Sequence, residues 1–429
     1  MRVEIINTGS ELMLGRVLNS HQQWLCRQLA DLGYTVDRQV TVDDSGPAIQ
    51  QAVREALAAA DLVIVTGGLG PTRDDRTRDV IAELLGRMLR EDPTVLEHIE
   101  QLFRGRHRRA PASTRVQALV PEGATVLLNA HGTAPGLILE VAAPGPPSTS
   151  RLLLMLPGPP RELRPMFTEQ FVPLLQSRFP LPAPFVCRTL KTTGLGESLV
   201  EERIHGPLRP LTQAGLELGY CARLGEVDVR FVARGEKARA LVDEAERLTR
   251  GILGELVFGV DDEKLEETIL RLLTERHQTL ALAESCTGGL LAHRLTNVPG
   301  ASRVFLAGLV TYANEAKQQF LGVHPETLAG PGPVSEATAR EMAEGARLRA
   351  GADYAISVTG IAGPDGGSEE KPVGTVWMAL ASAGHTLAQR RLNPYDRETF
   401  KDVTAQQALE LLRRELLSTG SAGTAQAQL

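Results

Sequence analysis

The sequence predicts an α/β protein of several domains. Three observations carry that expectation. Short apolar runs with strand character alternate with segments of helical spacing, glycine-rich loops follow several of those runs, and a Pro-rich break interrupts the chain near its middle. A chain of 429 residues is too long for one ordinary core, so two or three domains are expected. An apolar content of 42% with a charged content of 23% is that of a soluble globular protein, and no apolar run approaches the roughly 20 residues that span a bilayer. A net charge of −6 gives no bulk attraction for nucleic acid or membrane, and the expected partners are small molecules.

The first segment alternates strand and helix. Residues 3–7 read as a strand rather than a signal peptide, 22–32 as a helix ending at Gly33, 35–42 as a strand and 48–60 as a helix. The run 61–65 is a short buried strand, followed at once by Gly67-Gly68-Leu69-Gly70-Pro71 and a helix over 79–85. This βαβ pattern implies a mostly parallel sheet with helices on both faces, where ligands bind beyond the carboxyl ends of the strands. The apolar runs 136–141 and 151–156 read as a hairpin with an exposed Pro- and Ser-rich tip, and a helix is expected over 161–171. The basic residues Arg104, Arg106, His107, Arg108 and Arg109 read as a solvated helix end.

The breakers at 179–184 make a linker. Beyond it, strands over 185–192, 216–221 and 227–233 with helices over 196–204 and 237–253 suggest a small α+β unit. A helix over 264–276 then opens the last domain. The expected division is 1–178, 185–259 and 260–417, with a small, polar tail over 418–429 that reads as disordered. Cys26, Cys187, Cys221 and Cys286 are far apart and form no CxxC pair, which fits a reducing cytoplasm rather than a disulfide or zinc framework.

The last domain holds the most informative stretch, Ala283-Glu284-Ser285-Cys286-Thr287-Gly288-Gly289. It follows the apolar run 279–282 and precedes a segment of helical spacing. A Ser and a Cys thus sit at a strand-to-helix turn, where backbone N–H groups and the helix dipole favour developing negative charge. The arrangement suits a hydrolase nucleophile beside an oxyanion site. Cys286 is the rival nucleophile, being intrinsically more reactive. Glu284 could orient a partner or cap the helix. His293, His324 and His385 are scattered and read as structural or exposed. A second stretch, Tyr312-Ala313-Asn314-Glu315-Ala316-Lys317, follows a strand over 305–310, with Asn314 expected as an N-cap. Lys317 is either a solvated helix lysine or, if removed from water, a base. The third stretch, Thr359-Gly360-Ile361-Ala362-Gly363-Pro364, follows a buried strand over 353–358. It reads as a surface loop or as a ligand cradle.

These three stretches, in this order and spacing, resemble the CinA C-terminal domain family, whose members are nicotinamide mononucleotide deamidases. The resemblance implies Ser285 as nucleophile, Lys317 as base and Tyr312 beside them, with no cofactor. It places Thr287, Gly288, Gly289, Asn314, Thr359, Gly360 and Arg397 around the substrate, the turn at 287–289 supplying oxyanion N–H groups. Before the Asp-Arg pair the family usually carries Gly, where this chain has Tyr395. Lysine acts as a base there only if its pKa falls well below the unperturbed value of roughly 10.4.

The N-terminal segment carries its own loops. Glu11 follows the first strand, and Gly67, Gly68, Gly70 and Thr72 follow a later one with Asp74 and Asp75. Both loops open on the same sheet edge, and their acids either hold a hard cation or cap the next helix. With Gly132 and Gly158 in two further stretches, this segment is similar to molybdopterin-binding domains, as in CinA proteins. That resemblance implies a three-layer, molybdopterin-binding-like domain with ADP-ribose pyrophosphatase activity. It implies a divalent metal such as Mg²⁺ on Asp74 and Asp75, with potassium as a further candidate, and a homodimer. A ligand-binding or regulatory module for a nucleotide or pterin, without turnover, is the alternative.

Overall fold

The computed structural model describes residues 1–142 and 150–426, with side chains to 418. The chain forms two compact units, Met1–Phe185 and Val186–Leu429.

The first unit is built on a sheet of β1 (Val3–Thr8), β2 (Val36–Val42), β3 (Leu62–Thr66), β6 (Thr125–Leu127), β7 (Gly136–Ala142) and β8 (Ser150–Leu156), in the order β2-β1-β3-β8-β7-β6. A separate two-stranded ribbon pairs β4 (Leu89–Glu91) with β5 (Leu119–Pro121). Pairings among β2, β1, β3 and β8 are parallel, while β7 and β6 run antiparallel. β1 and β3 are buried along their whole length, because helices cover both faces. One face packs on Ile49, Val53 and Ile81, and the other on Leu25, Leu29 and Phe167. The expected hairpin is present as β7 and β8, and its tip, 143–149, lies outside the described residues. The single helix expected over 161–171 is instead a short helix, Pro160–Pro165, a wide π-type turn over Met166–Phe171 and a second helix, Val172–Arg178. Pro165 cannot donate to the helical ladder, and the chain continues through a different hydrogen-bond spacing.

The second unit holds two sheets. The smaller contains β9 (Phe185–Thr193), β10 (Glu217–Arg223), β11 (Glu226–Arg234) and β12 (Val257–Val260), in the order β10-β11-β9-β12. It packs on the helices Glu197–Gln213 and Ala238–Leu253 through Val200, Ile204, Phe231 and Val242. The larger contains β13 (Leu280–Glu284), β14 (Phe305–Val310), β15 (Tyr354–Gly360), β16 (Thr375–Ala381) and β17 (Thr386–Leu392), ordered β14-β13-β15-β16-β17. β13 runs parallel to both neighbours, so the loops leaving β13, β14 and β15 emerge at one edge. The last helix spans Arg397–Gln426. It therefore continues through 418–426, where the sequence suggests disorder, and 427–429 lie outside the described residues. All four cysteines are free. Among the described residues no helix is long and apolar enough to cross a membrane.

Candidate active site

β13 is wholly buried, and its carboxyl end delivers the chain into the turn that carries Ser285. The Ser285 amide donates to Val358 O of β15 at 2.9 Å, which ties the turn to the sheet. Glu284 is 1% exposed, and its carboxylate accepts the amides of Gly289 at 3.0 Å, Leu291 at 3.1 Å and Ala292 at 2.9 Å. It thus caps the helix Leu290–Thr296 from inside and fixes the direction in which the turn leaves the strand. Gly288 and Gly289 have φ of +64° and +97°, a region that only glycine adopts without strain.

This geometry occupies two of the three N–H groups expected for the oxyanion site. The Gly289 amide is taken by Glu284, and the Gly288 amide by Ser285 O at 3.0 Å. Thr287 is fully buried, with no partner for its hydroxyl among the described residues, and lies outside the cavity lining. The two glycines shape the turn, and neither lines the cavity.

Lys317 arrives from the neighbouring strand. After β14 the chain extends over 311–313 and makes one helical turn, Asn314–Ala316, which places Lys317 beneath Ser285. Lys317 is 1% exposed, and its Nζ lies 3.1 Å from Ser285 Oγ, 2.9 Å from Thr311 O and 3.2 Å from Tyr312 O. Burial lowers its pKa, against smaller opposing effects of Cys286 and Glu315. Burial acts oppositely on the neighbouring thiol and pushes Cys286 up to about 12, so it stays protonated at neutral pH. Asn314 does not cap. Ala313 holds the cap position, and Asn314 lines the cavity.

Above this pair lies a cavity of about 210 Å³. It brings together seven of the expected residues: Ser285, Lys317, Tyr312, Asn314, Thr359, Gly360 and Arg397. Arg397 opens the last helix, donating from Nη1 to Gly363 O at 2.7 Å and from Nη2 to Tyr312 Oη at 2.6 Å. The Thr359 hydroxyl donates to Pro333 O at 2.7 Å. Pro333 and Val334 complete the wall and escaped the sequence reading, because nothing in their spacing marks chemistry. No histidine lines this cavity.

The N-terminal loops surround a second cavity of about 550 Å³. Glu11, Gly67, Gly68, Gly70, Asp74, Asp75 and Gly158 line it, while Thr72 and Gly132 do not. Most of these glycines answer to the chain's own packing. A Cβ on Gly67 would stand 2.6 Å from Thr8 O. One on Gly68 would collide with the Thr77 hydroxyl, one on Gly70 with the Asp75 carboxylate, and one on Gly132 with that of Glu162. Asp75 accepts the Thr72 amide at 2.9 Å and its hydroxyl at 2.5 Å. Asp74 is exposed, with its carboxyl held low by a hydrogen bond with Thr72. Neither acid caps the helix Thr77–Leu84, whose cap position is Arg76. His21, missed in the sequence, also lines the cavity, and burial lowers its pKa. Among the described residues no three His, Cys, Asp or Glu side chains group closely enough to hold a metal ion by themselves.

Three family models match successive parts of the chain. Residues 4–177 match the family model for a probable molybdopterin binding domain, 187–259 the damage-inducible protein CinA KH domain, and 262–416 the CinA C-terminal domain. A relative from Moorella thermoacetica named as competence-damage inducible is 45% identical over 419 residues, 97% of this chain and 99% of its own. A CinA-like protein from Akkermansia muciniphila is 43% identical over 410 residues, 95% of this chain and 96% of its own. A solved structure, competence/damage inducible protein CihA from Agrobacterium tumefaciens, is 45% identical over 34% of this chain and 91% of its own, with a TM-score of 0.34. The chain belongs to the CinA family, with a molybdopterin-binding-like N-terminal domain, a middle KH domain and a CinA C-terminal domain.

Proposed function

We propose that the C-terminal domain is an amidohydrolase that converts nicotinamide mononucleotide to nicotinate mononucleotide and ammonia. The observation that carries this reading is the buried Lys317 Nζ at 3.1 Å from Ser285 Oγ. A neutral amine has two N–H donors and one lone pair. Two carbonyls, Thr311 O and Tyr312 O, accept the donors, which leaves the lone pair directed at Ser285 Oγ. Lys317 takes the hydroxyl proton as Ser285 Oγ attacks the carboxamide carbon. Asn314 lines the same cavity, and its carboxamide is the side-chain donor available to the developing oxyanion. The C–N bond breaks, Lys317 returns its proton to the leaving ammonia, and water hydrolyses the resulting ester with Lys317 again as base. The test is ammonia release from nicotinamide mononucleotide by the full chain. The expected result is activity in the intact chain and in Cys286→Ala, and none above background in Ser285→Ala. Retained activity in Ser285→Ala would reject the assignment.

For the N-terminal domain we propose binding of a nucleotide diphosphate, with hydrolysis of ADP-ribose as the activity. The second cavity, at the carboxyl ends of β1, β3 and β8, supports this reading by its size and loops. Mg²⁺ usually takes one or two carboxylates together with substrate phosphates, so Asp74 and Asp75 fit without a third acid. A divalent ion there would polarise a phosphoryl oxygen. The alternative is a binding module without turnover. AMP release from ADP-ribose that depends on added Mg²⁺ supports the enzyme, and binding without release supports the module.

A further inference from the structure

Within the second unit a cavity of about 590 Å³ lies between the β10–β11 hairpin and the last helix, and neither proposed activity uses it. Its size falls in the range of roughly 300–1,000 Å³ that holds a whole small ligand. It shares no lining residue with the cavity over Ser285. Hydrogen bonds fix its walls: Gln406 of the last helix donates to Glu226 of β11 at 2.7 Å and accepts from Arg294 at 2.7 Å.

Two kinds of lining group meet there. The first kind binds anions. Arg414 Nη2 stands 2.7 Å from where a Cβ on Gly194 would lie, so this guanidinium reaches from the last helix to the loop after β9. Arg414 and the buried Arg413 share the single carboxylate of Glu410, which leaves one positive charge over. Arg391 of β17 bonds the neutral side chain of Gln389 and has no carboxylate partner among the described residues. The amides of Leu195, Gly196 and Glu197, where the helix Glu197–Gln213 begins, have no acceptor among the described residues. On the hairpin side the charges balance, Arg223 and Lys191 against Asp228 and Glu226, and Glu197 adds one exposed acid. Two guanidinium groups beside open amides favour a phosphate. The second kind is apolar. Met378 and Val403 are buried in the lining, while Leu224 and Tyr395 are exposed in it. Tyr395, which stands where the family usually carries Gly, gives this chain an aromatic face there. An exposed aromatic ring beside apolar side chains favours a planar heterocycle.

We propose that this cavity is a further ligand site that takes a nucleoside phosphate, with the phosphate on Arg391, Arg414 and the amides of residues 195–197, and the base on Tyr395. The site is independent of the deamidase reading.

The test is photolabelling of the full chain with 8-azido-ADP, in excess nicotinamide mononucleotide and ADP-ribose to compete at the other two cavities, with the labelled peptides mapped by mass spectrometry. The expected label lies on the peptides that hold Tyr395 or Leu224. ADP should protect them, and adenosine or ribose 5-phosphate should need at least about tenfold more, since each lacks one recognised group. Arg391→Gln should raise the half-labelling concentration about tenfold, as for a lost charge-assisted hydrogen bond, and Arg391→Lys should recover part of it. The urea midpoint of Arg391→Gln should stay unchanged, because Arg391 is exposed and without an ion pair. Label confined to residues 1–185 or to the peptide of Ser285 would overturn the proposal. So would label in the cavity that adenosine blocks as well as ADP, or that Arg391→Gln and Arg414→Gln leave unchanged. Equal protection by ribose 5-phosphate would overturn recognition of the base.

Discussion

Two loops occupy the same topological position, one in each unit: the turn after β13 and the glycine-rich loop after β3. Both leave a parallel strand buried along its length, and both open on a cavity at the carboxyl edge of a sheet. They differ in where their polar groups are directed. After β13, Lys317 from one element meets Ser285 from another inside the protein, and Glu284 and Val358 tie down much of the backbone around them. After β3, the two acids stay with their own loop, Asp75 bonded to Thr72 and Asp74 in solvent. A nucleophile and base that meet across elements in a dry site specify a reaction. A loop whose acids meet no catalytic partner and which opens on a roomy cavity fits a binding place and leaves the reaction to what the ligand brings.

The largest effects should break the first loop. Lys317→Met is expected to lower ammonia release by about 10²–10⁴-fold, the range for losing a general base, while Cys286→Ala stays within a few fold. The pH profile comes next. The base works only unprotonated, and burial sets its pKa below the ordinary lysine value. The rate should therefore rise about tenfold per pH unit on the acid side and level off below the usual lysine range. A rise that continues through that range would mean that Lys317 is solvated. Glu284→Ala removes a buried acceptor shared by three amides. It should cost about 2–4 kcal/mol in urea unfolding of the C-terminal domain, with loss of activity.

Smaller effects sharpen the contrast in the N-terminal loop. Gly68→Ala meets the Thr77 hydroxyl at positive φ and should cost about 1–3 kcal/mol of that domain's stability. Gly158→Ala meets only the Gly67 Cα, at an ordinary contact of 3.9 Å, and should stay within about 0.5 kcal/mol. Both variants should keep full ammonia release, since their changes lie in the other unit. Equal destabilisation by the two would show that these glycines do not divide into packing and ligand-facing roles.

Much of the fold was legible because hydrophobic period is a local property. The strands β1, β3, β13 and β15 follow from short apolar runs with a turn signal at their ends. The broken helix after Pro160 and the continuation of the last helix were not legible. The first depends on how the chain exchanges one hydrogen-bond spacing for another at Pro165, and the second on no pattern in a small, polar segment. Within the site, Ser285, Lys317 and Arg397 could be picked out from their motifs. The fate of individual N–H groups could not, because the expected Gly288 and Gly289 donors are claimed by partners that only the folded turn brings near.

The central claim is that Ser285, activated by Lys317, forms an ester with the carbonyl of the substrate amide. The most direct test is rapid quenching of the full chain with nicotinamide mononucleotide, followed by mass spectrometry of the peptide that holds Ser285 and Cys286. The account predicts a transient adduct equal to substrate less ammonia, borne on Ser285, present in Cys286→Ala and absent in Ser285→Ala. An adduct on Cys286 would contradict it.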